Sequence, residues 1–266
     1  MNNKRVITLF FILIILSLAV YYRKKIPYLL VQQYSKIKNA PLYELIYSLN
    51  YENIEIDKIP QELKDKMYIF NFDKSFIKND FNEKKFIKHI VDSIKHPKFN
   101  NTNINVLELL KTKVKYYFTA HTDIEWNLIT NDGYQVWCLF ENNNKNNAGN
   151  MFYLYNEYLY NKYKDDYYSI CIKNNKVIVH KNCKYDLFKL NILEEFDKDW
   201  FIKNTKVYYL NINPGQCVVF DKRLCHMSDI RGKTRFAVNF RVTHGDVHFD
   251  NNTCGFVKDK RVIFKQ

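Results

Sequence analysis

Glycine and proline are scarce in this chain, six and five among 266 residues. That scarcity excludes a collagen-like or Pro/Gly-rich disordered polymer, and the 47% apolar content points instead to a folded globular body. The cysteines at 138, 171, 183, 217, 225 and 254 include no Cys-x-x-Cys pair, which argues against a zinc ribbon or a thioredoxin-type centre. Their even number permits disulfides without requiring them. Arginine-rich stripes, nucleic-acid motifs and internal repeats are also missing. The formal net charge is +13, yet the lysines are scattered through nearly every segment. They describe a solvated basic exterior, and no specific nucleic-acid partner is expected. Lys, Asn, Ile and Tyr are abundant throughout, so runs of Asn or Lys carry little information of their own.

What is present begins with one long apolar run, Val6 to Tyr22, behind a basic start. It is 17 residues long, the short end of what spans a bilayer as a helix. It passes straight into Tyr21-Tyr22-Arg23-Lys24-Lys25, which suits an uncleaved single-pass signal anchor over residues 1–25. The small residues of Ser17-Leu18-Ala19 keep a cleaved signal, and so a secreted protein, open. Positive charge on both flanks fixes no orientation. With the body on the luminal or exofacial side, Asn100-Asn-Thr102 and Asn251-Asn-Thr253 become glycosylation acceptors.

Residues 26–104 read as a helical lead-in. Pro60 ahead of an acidic turn in IPQELKDKMYIF opens one helix, and Phe86, Ile87, Ile90, Val91 and Ile94 recur at helical spacing before Pro97. His89 and His96 read as surface residues of that helix. From 105 to 266 the texture is β: YQVWCLF, NMFYLYN, YYSICIK, KVIVHKN, KVYYLNI, QCVVFD and TRFAVNFRV are short, aromatic and β-branched, between turn clusters such as Asn131-Asp-Gly133 and Asn213-Pro-Gly215. About eight strands after a helical lead-in predict a mainly β (α+β) protein, a double-sheet jelly roll with helices packed on one sheet. The segment at about 141–210 reads as an insertion into that core, with LNILEEFDKDWFI (190–202) as a helix or loop between strand sets.

Within FTAHTDIEWN, His121 and Asp123 stand two apart in strand-like sequence, so both side chains project from one face. An imidazole and a carboxylate that converge form a metal site or a hydrogen-bonded pair. The choice between them turns on the later segment NPGQCVVFDKRLCHMSDIRGKTRFAVNFRV. There a turn feeds a hydrophobic strand ending in Phe220-Asp221, a short loop presents His226, and nine residues later Arg235 opens another strand.

This order, His-x-Asp, a distant His and then an Arg, resembles the iron(II)- and 2-oxoglutarate-dependent oxygenases. The ending is similar to the "PGD…F…H…S…R" of their phytanoyl-CoA dioxygenase-like branch, although Gln216 stands where that ending has its acid. The resemblance covers residues 105–242 and implies a double-stranded β-helix of cupin type. It implies Fe(II) held by His121, Asp123 and His226, with positions left for 2-oxoglutarate and O₂. Arg235 would anchor the far carboxylate of the co-substrate, with Arg241, on the same strand parity, as the alternative. Ser228 and Trp137 match family positions that contact the co-substrate, and Tyr117 is a further candidate. The intact Asp123 implies hydroxylation rather than halogenation, with 2-oxoglutarate decarboxylated to succinate.

Two other readings use the same residues: a zinc hydrolase on the His/Asp/His site, and a membrane-tethered β-sandwich that binds without catalysis. His244, Asp246 and His248 could form a rival metal site, but read as a solvated tail past the last strand. Glu125 reads as a residue outside the ligand set, and Cys225 as a packing residue. The substrate is a small molecule, lipid, glycan or peptide, and the chain does not select among them.

Overall fold

The apolar runs that alternate with turn clusters become two stacked sheets in the computed structural model. It describes residues 38–77, 81–99, 102–112, 119–123, 133–145, 148–164, 166, 168–181, 191–232, 235–245 and 263–266. The proposed anchor over 1–25 and Tyr117, Glu125, Asp246 and His248 lie outside them. Among the described residues no helix is long and apolar enough to cross a membrane.

The larger sheet has eight strands: β1 (Glu52–Ile54), β4 (Ala120–His121), β6 (Met151–Tyr155), β7 (Tyr168–Lys173), β8 (Lys176–Lys181), β9 (Asn191–Asp197), β10 (Lys206–Leu210) and β12 (Cys225–Ser228). Their spatial order is β1-β10-β6-β12-β4-β7-β8-β9. The smaller sheet comprises β2 (Met67–Asn71), β3 (Ile104–Thr112), β5 (Gly133–Asn142), β11 (Gln216–Asp221), β13 (Arg235–His244) and β14 (Phe264–Lys265), in the order β14-β3-β13-β5-β11-β2. Among the described residues, only β1 with β10 is a parallel pairing. At the start of β5, a Cβ on Gly133 would lie 2.0 Å from the Val242 carbonyl oxygen, so only glycine fits there.

Three cores stack through the molecule. Between the sheets, Trp137, Leu139, Val218, Phe220 and Ala237 meet Met151, Tyr153, Tyr208 and Leu210. Helix α1 (residues 38–48) covers the outer face of the large sheet through Leu42, Leu45 and Ile46, against Phe152, Ile170, Val177 and Val179. Helix α2 (Glu83–Ser93) covers the outer face of the small sheet with Phe86, Ile87, Ile90 and Val91, the spacing expected from the sequence. Asn82 caps it by accepting from the Lys85 amide at 3.0 Å. Burying each of those four side chains contributes about 1.5–3 kcal/mol. Because both faces of the central strands are covered, their sequences read as unbroken apolar runs rather than alternating ones.

The fold is a mainly β, jelly-roll-like sandwich. Helices cover both sheets, not one as expected, because β5, β11 and β13 also turn Val136, Cys138, Phe140, Cys217, Val219, Val238, Phe240 and Val242 outward, and that outer face needs α2. The lead-in also contains strands. Pro60 opens only a single 3-10 turn, Gln61–Leu63, and the aromatic, β-branched MYIF that follows becomes part of β2, paired with β11. The stretch 141–210 supplies β6 to β10, five strands of the large sheet, together with helices α3 (Glu157–Lys162) and α4 (Lys198–Asn204). Within it, the first part of LNILEEFDKDWFI is the edge strand β9 and the second part is α4. Cys138 and Cys217, register partners on β5 and β11, form a disulfide, while Cys171 and Cys225 are buried free thiols.

Candidate metal centre

His121 enters the site from a strand of only two residues. β4 is held between β7, where His121 faces Ser169, and β12, where it faces His226. Register partners project from the same face, so both imidazoles point inward between the sheets, and their ring centroids lie 4.7 Å apart. The strand ends before Asp123. The Thr122 amide still bonds to the Tyr168 carbonyl at 3.1 Å, but the Asp123 amide turns to Lys222, in the loop between β11 and β12, at 2.8 Å. That switch carries the carboxylate beneath both rings.

The three ligating atoms lie within 4.8 Å of one another. His226 Nε2 is 3.2 Å from Asp123 Oδ2, and His121 Nε2 is 3.8 Å from Asp123 Oδ1. Each imidazole has its Nδ1 on a backbone carbonyl two residues upstream, Thr119 at 2.8 Å and Leu224 at 3.0 Å. An Nδ1–H that donates to those carbonyls turns an Nε2 lone pair toward the shared centre, the tautomer that metal ligation needs. Burial and the neighbouring His226 pull the His121 pKa down to about 4, so it stays neutral. Burial works to raise the Asp123 pKa, but Arg241, bonded to its Oδ1 at 2.9 Å, and the adjacent imidazoles outweigh it and hold the carboxyl well below its usual range. Two imidazole nitrogens and a carboxylate whose Oδ2 remains turned inward match the donor set for a divalent, nitrogen-accepting metal. The His121 side chain is 21% exposed, so the centre opens toward solvent.

Arg235 and Arg241 both face inward, and the structure separates their surroundings. Arg241 reaches Asp123. Arg235 sits over the Trp137 ring, 5.4 Å from its centroid, and donates to the Gly149 carbonyl, to the Asn150 carbonyl at 3.1 Å and to Ser228 Oγ at 3.1 Å. The three residues matched to co-substrate contacts, Trp137, Ser228 and Arg235, thus come together. These bonds use three of the five guanidinium N–H groups and leave two for a carboxylate. His244 is the last residue of β13, not past it, with its ring 5.9 Å from that of Tyr134 on the outer face.

Some contributors gave no signal in the sequence. Tyr153, the register partner of His226 on β6, is fully buried, and its hydroxyl has no hydrogen-bond partner in the structure. Asp229 accepts from Tyr47 and Tyr209 hydroxyls and from the Gly149 amide, at 3.1, 2.9 and 3.0 Å. It thereby fixes the 149–150 turn that brackets Arg235, and ties α1 to it. Its place in CHMSD, three residues after His226, was the only available clue.

No family model matches this chain, and no curated protein matches it. Among solved structures, a putative alpha-ketoglutarate-dependent taurine dioxygenase from Burkholderia xenovorans superposes with a TM-score of 0.34 at 9% identity, over 74% of this chain and 88% of that one. A taurine dioxygenase from the same organism superposes with a TM-score of 0.33 at 7% identity, over 76% and 89%.

Proposed function

We propose that the protein is an Fe(II)- and 2-oxoglutarate-dependent oxygenase that hydroxylates an organic substrate. The observation that carries this reading is the convergence of His121, Asp123 and His226 on one point, with both imidazoles oriented for ligation. Bound there, iron would supply the oxygen chemistry, and the chain's own residues would prepare the site. The Thr119 and Leu224 carbonyls hold the two rings, and Arg241 keeps Asp123 ionised. Arg235, braced by Ser228, Asn150 and Trp137, would present its two remaining N–H groups to the distal carboxylate of 2-oxoglutarate. The Phe220 ring, 5.0 Å from that of His226, and buried Tyr153 help exclude water beside the ligands.

The "PGD…F…H…S…R"-like ending of 213–242 supports placement nearest the phytanoyl-CoA dioxygenase-like branch, on a double-stranded β-helix of cupin type. We further propose residues 1–25 as a single-pass signal anchor, on the strength of the Val6–Tyr22 run and its basic flanks. The test is conversion of 2-oxoglutarate to succinate by the purified full chain. Turnover that needs Fe(II), and that zinc cannot support, agrees with the proposal. Succinate formation that is absent under every metal would refute it.

A further inference from the structure

His180 is a buried, titratable side chain that the metal centre does not use. It is 2% exposed, and neither ring nitrogen makes a hydrogen bond of good geometry among the described residues, although the Lys181 backbone lies beside the ring. Leaving a buried imidazole unsatisfied is unfavourable, so such a group calls for an explanation.

Its direction follows from the sheet. On β8 the neighbours Val177 and Val179 pack outward beneath α1, which turns His180 to the opposite, inner face. The cross-strand register makes the same point: His226 faces His121, His121 faces Ser169, and Ser169 faces His180. These four residues form one row across β12, β4, β7 and β8, on the face that carries the metal ligands. With strands about 4.8 Å apart, His180 lies roughly 10 Å from His121. In the register of this row Ser169, with its short side chain, is the position between the two imidazoles. The row ends at the edge strand in Ile192, which is 46% exposed. The pairing of β8 with β9 slips between Val179 and His180, where Leu193 is the extra residue on β9, while the β7–β8 register runs on unbroken and keeps His180 on the inner face.

We propose that His180, with Ser169 beside it, is a substrate-recognition subsite for a neutral group that both donates and accepts hydrogen bonds, an alcohol or a carboxamide. The proposal deepens the oxygenase reading and rests on it for the word substrate. A neutral imidazole offers one N–H and one lone pair and can exchange them, so its complement carries both functions. Burial, and then the charge of Lys38 at the start of α1, keep this ring uncharged near neutral pH. Occupied in this way, the subsite would hold a substrate along the row, with the carbon to be oxidised near His121 and a polar group at His180.

The test uses the full chain in detergent with ¹⁵N-labelled histidine. The His180 ring signals are assigned by their loss in His180→Leu, or in His180→Gln should the leucine variant not fold. Acetamide and ethanol are titrated as the two neutral probes, with acetate as the anionic control. A shift of the His180 nitrogens with either neutral probe, and a smaller one or none with acetate, is the expected result, and the probe that acts decides between amide and alcohol. Signals that no neutral probe moves, or that acetate moves more, would overturn the subsite. The spectra require no iron, so a silent imidazole in a protein that turns over 2-oxoglutarate defeats this inference alone. A responsive imidazole in a protein without turnover defeats only the oxygenase reading.

Discussion

Arg241 donates to Asp123 Oδ1 at 2.9 Å, so the ligand carboxylate has a permanent positive neighbour even without a metal. In Arg241→Leu the buried carboxylate loses that partner. Breaking one side of a buried pair costs about 3–5 kcal/mol, and the metal-free protein should lose stability on that scale. Anaerobic Fe(II) brings its own charge to Asp123 and should restore much of the loss. Melting curves in chelator and in Fe(II) test this, and an equal destabilisation in both would show that Asp123 does not face a metal.

Arg235 is held by two carbonyls and Ser228 with two N–H groups to spare. Lysine keeps the charge but cannot present a planar fork. Arg235→Lys should therefore raise the KM for 2-oxoglutarate at least tenfold, a loss of about 1.4 kcal/mol or more in binding, with a smaller effect on kcat. Steady-state succinate formation measures it. An unchanged KM would move the anchor to another residue.

Much of this site was legible in the chain, and the reasons differ by residue. His121, His226 and Arg235 are marked by their order along the sequence, and strand parity correctly turns Arg235 and Arg241 to one face. Asp123 arrives by a different route, because its amide leaves the strand for Lys222, and periodicity carries no sign of that switch. Tyr153 and His180 were hidden because their roles depend on which strands become neighbours, a property of register rather than of local sequence. The abundance of Asn concealed the turn between β7 and β8, where Asn174 and Asn175 both take positive φ (51° and 59°), as a two-residue hairpin requires. β2 differs from the expected helix because the turn that Pro60 opens ends at Leu63, before the β-branched and aromatic MYIF begins.

The Cys138–Cys217 bridge joins neighbouring strands across 79 residues of sequence. Constraining a loop of that size in the unfolded chain should contribute about 4.5 kcal/mol. Urea unfolding with and without reductant should show a lower midpoint for the reduced protein. Identical midpoints would mean that the bridge does not form in solution.

His180 also predicts a pH dependence. Burial first, with Lys38 adding to it, lowers its pKa from 6.5 to about 4, so the unfolded chain takes up a proton below about pH 6.5 while the folded chain does so only near pH 4. The stability tied to a neutral His180 is therefore complete above about pH 6.5 and is lost as pH falls toward 4, by an amount of order 3 kcal/mol. His180→Leu should flatten the stability profile in that window relative to the native chain. Parallel profiles would show that His180 titrates normally.

The most direct measurement is anaerobic addition of Fe(II) and 2-oxoglutarate to the full chain, followed by its visible spectrum. A weak charge-transfer band should appear only with both components, and should vanish in His121→Ala, Asp123→Ala and His226→Ala proteins that retain the native circular dichroism. A native protein with no such band, or a band that survives these three substitutions, would contradict a ferrous centre at these residues.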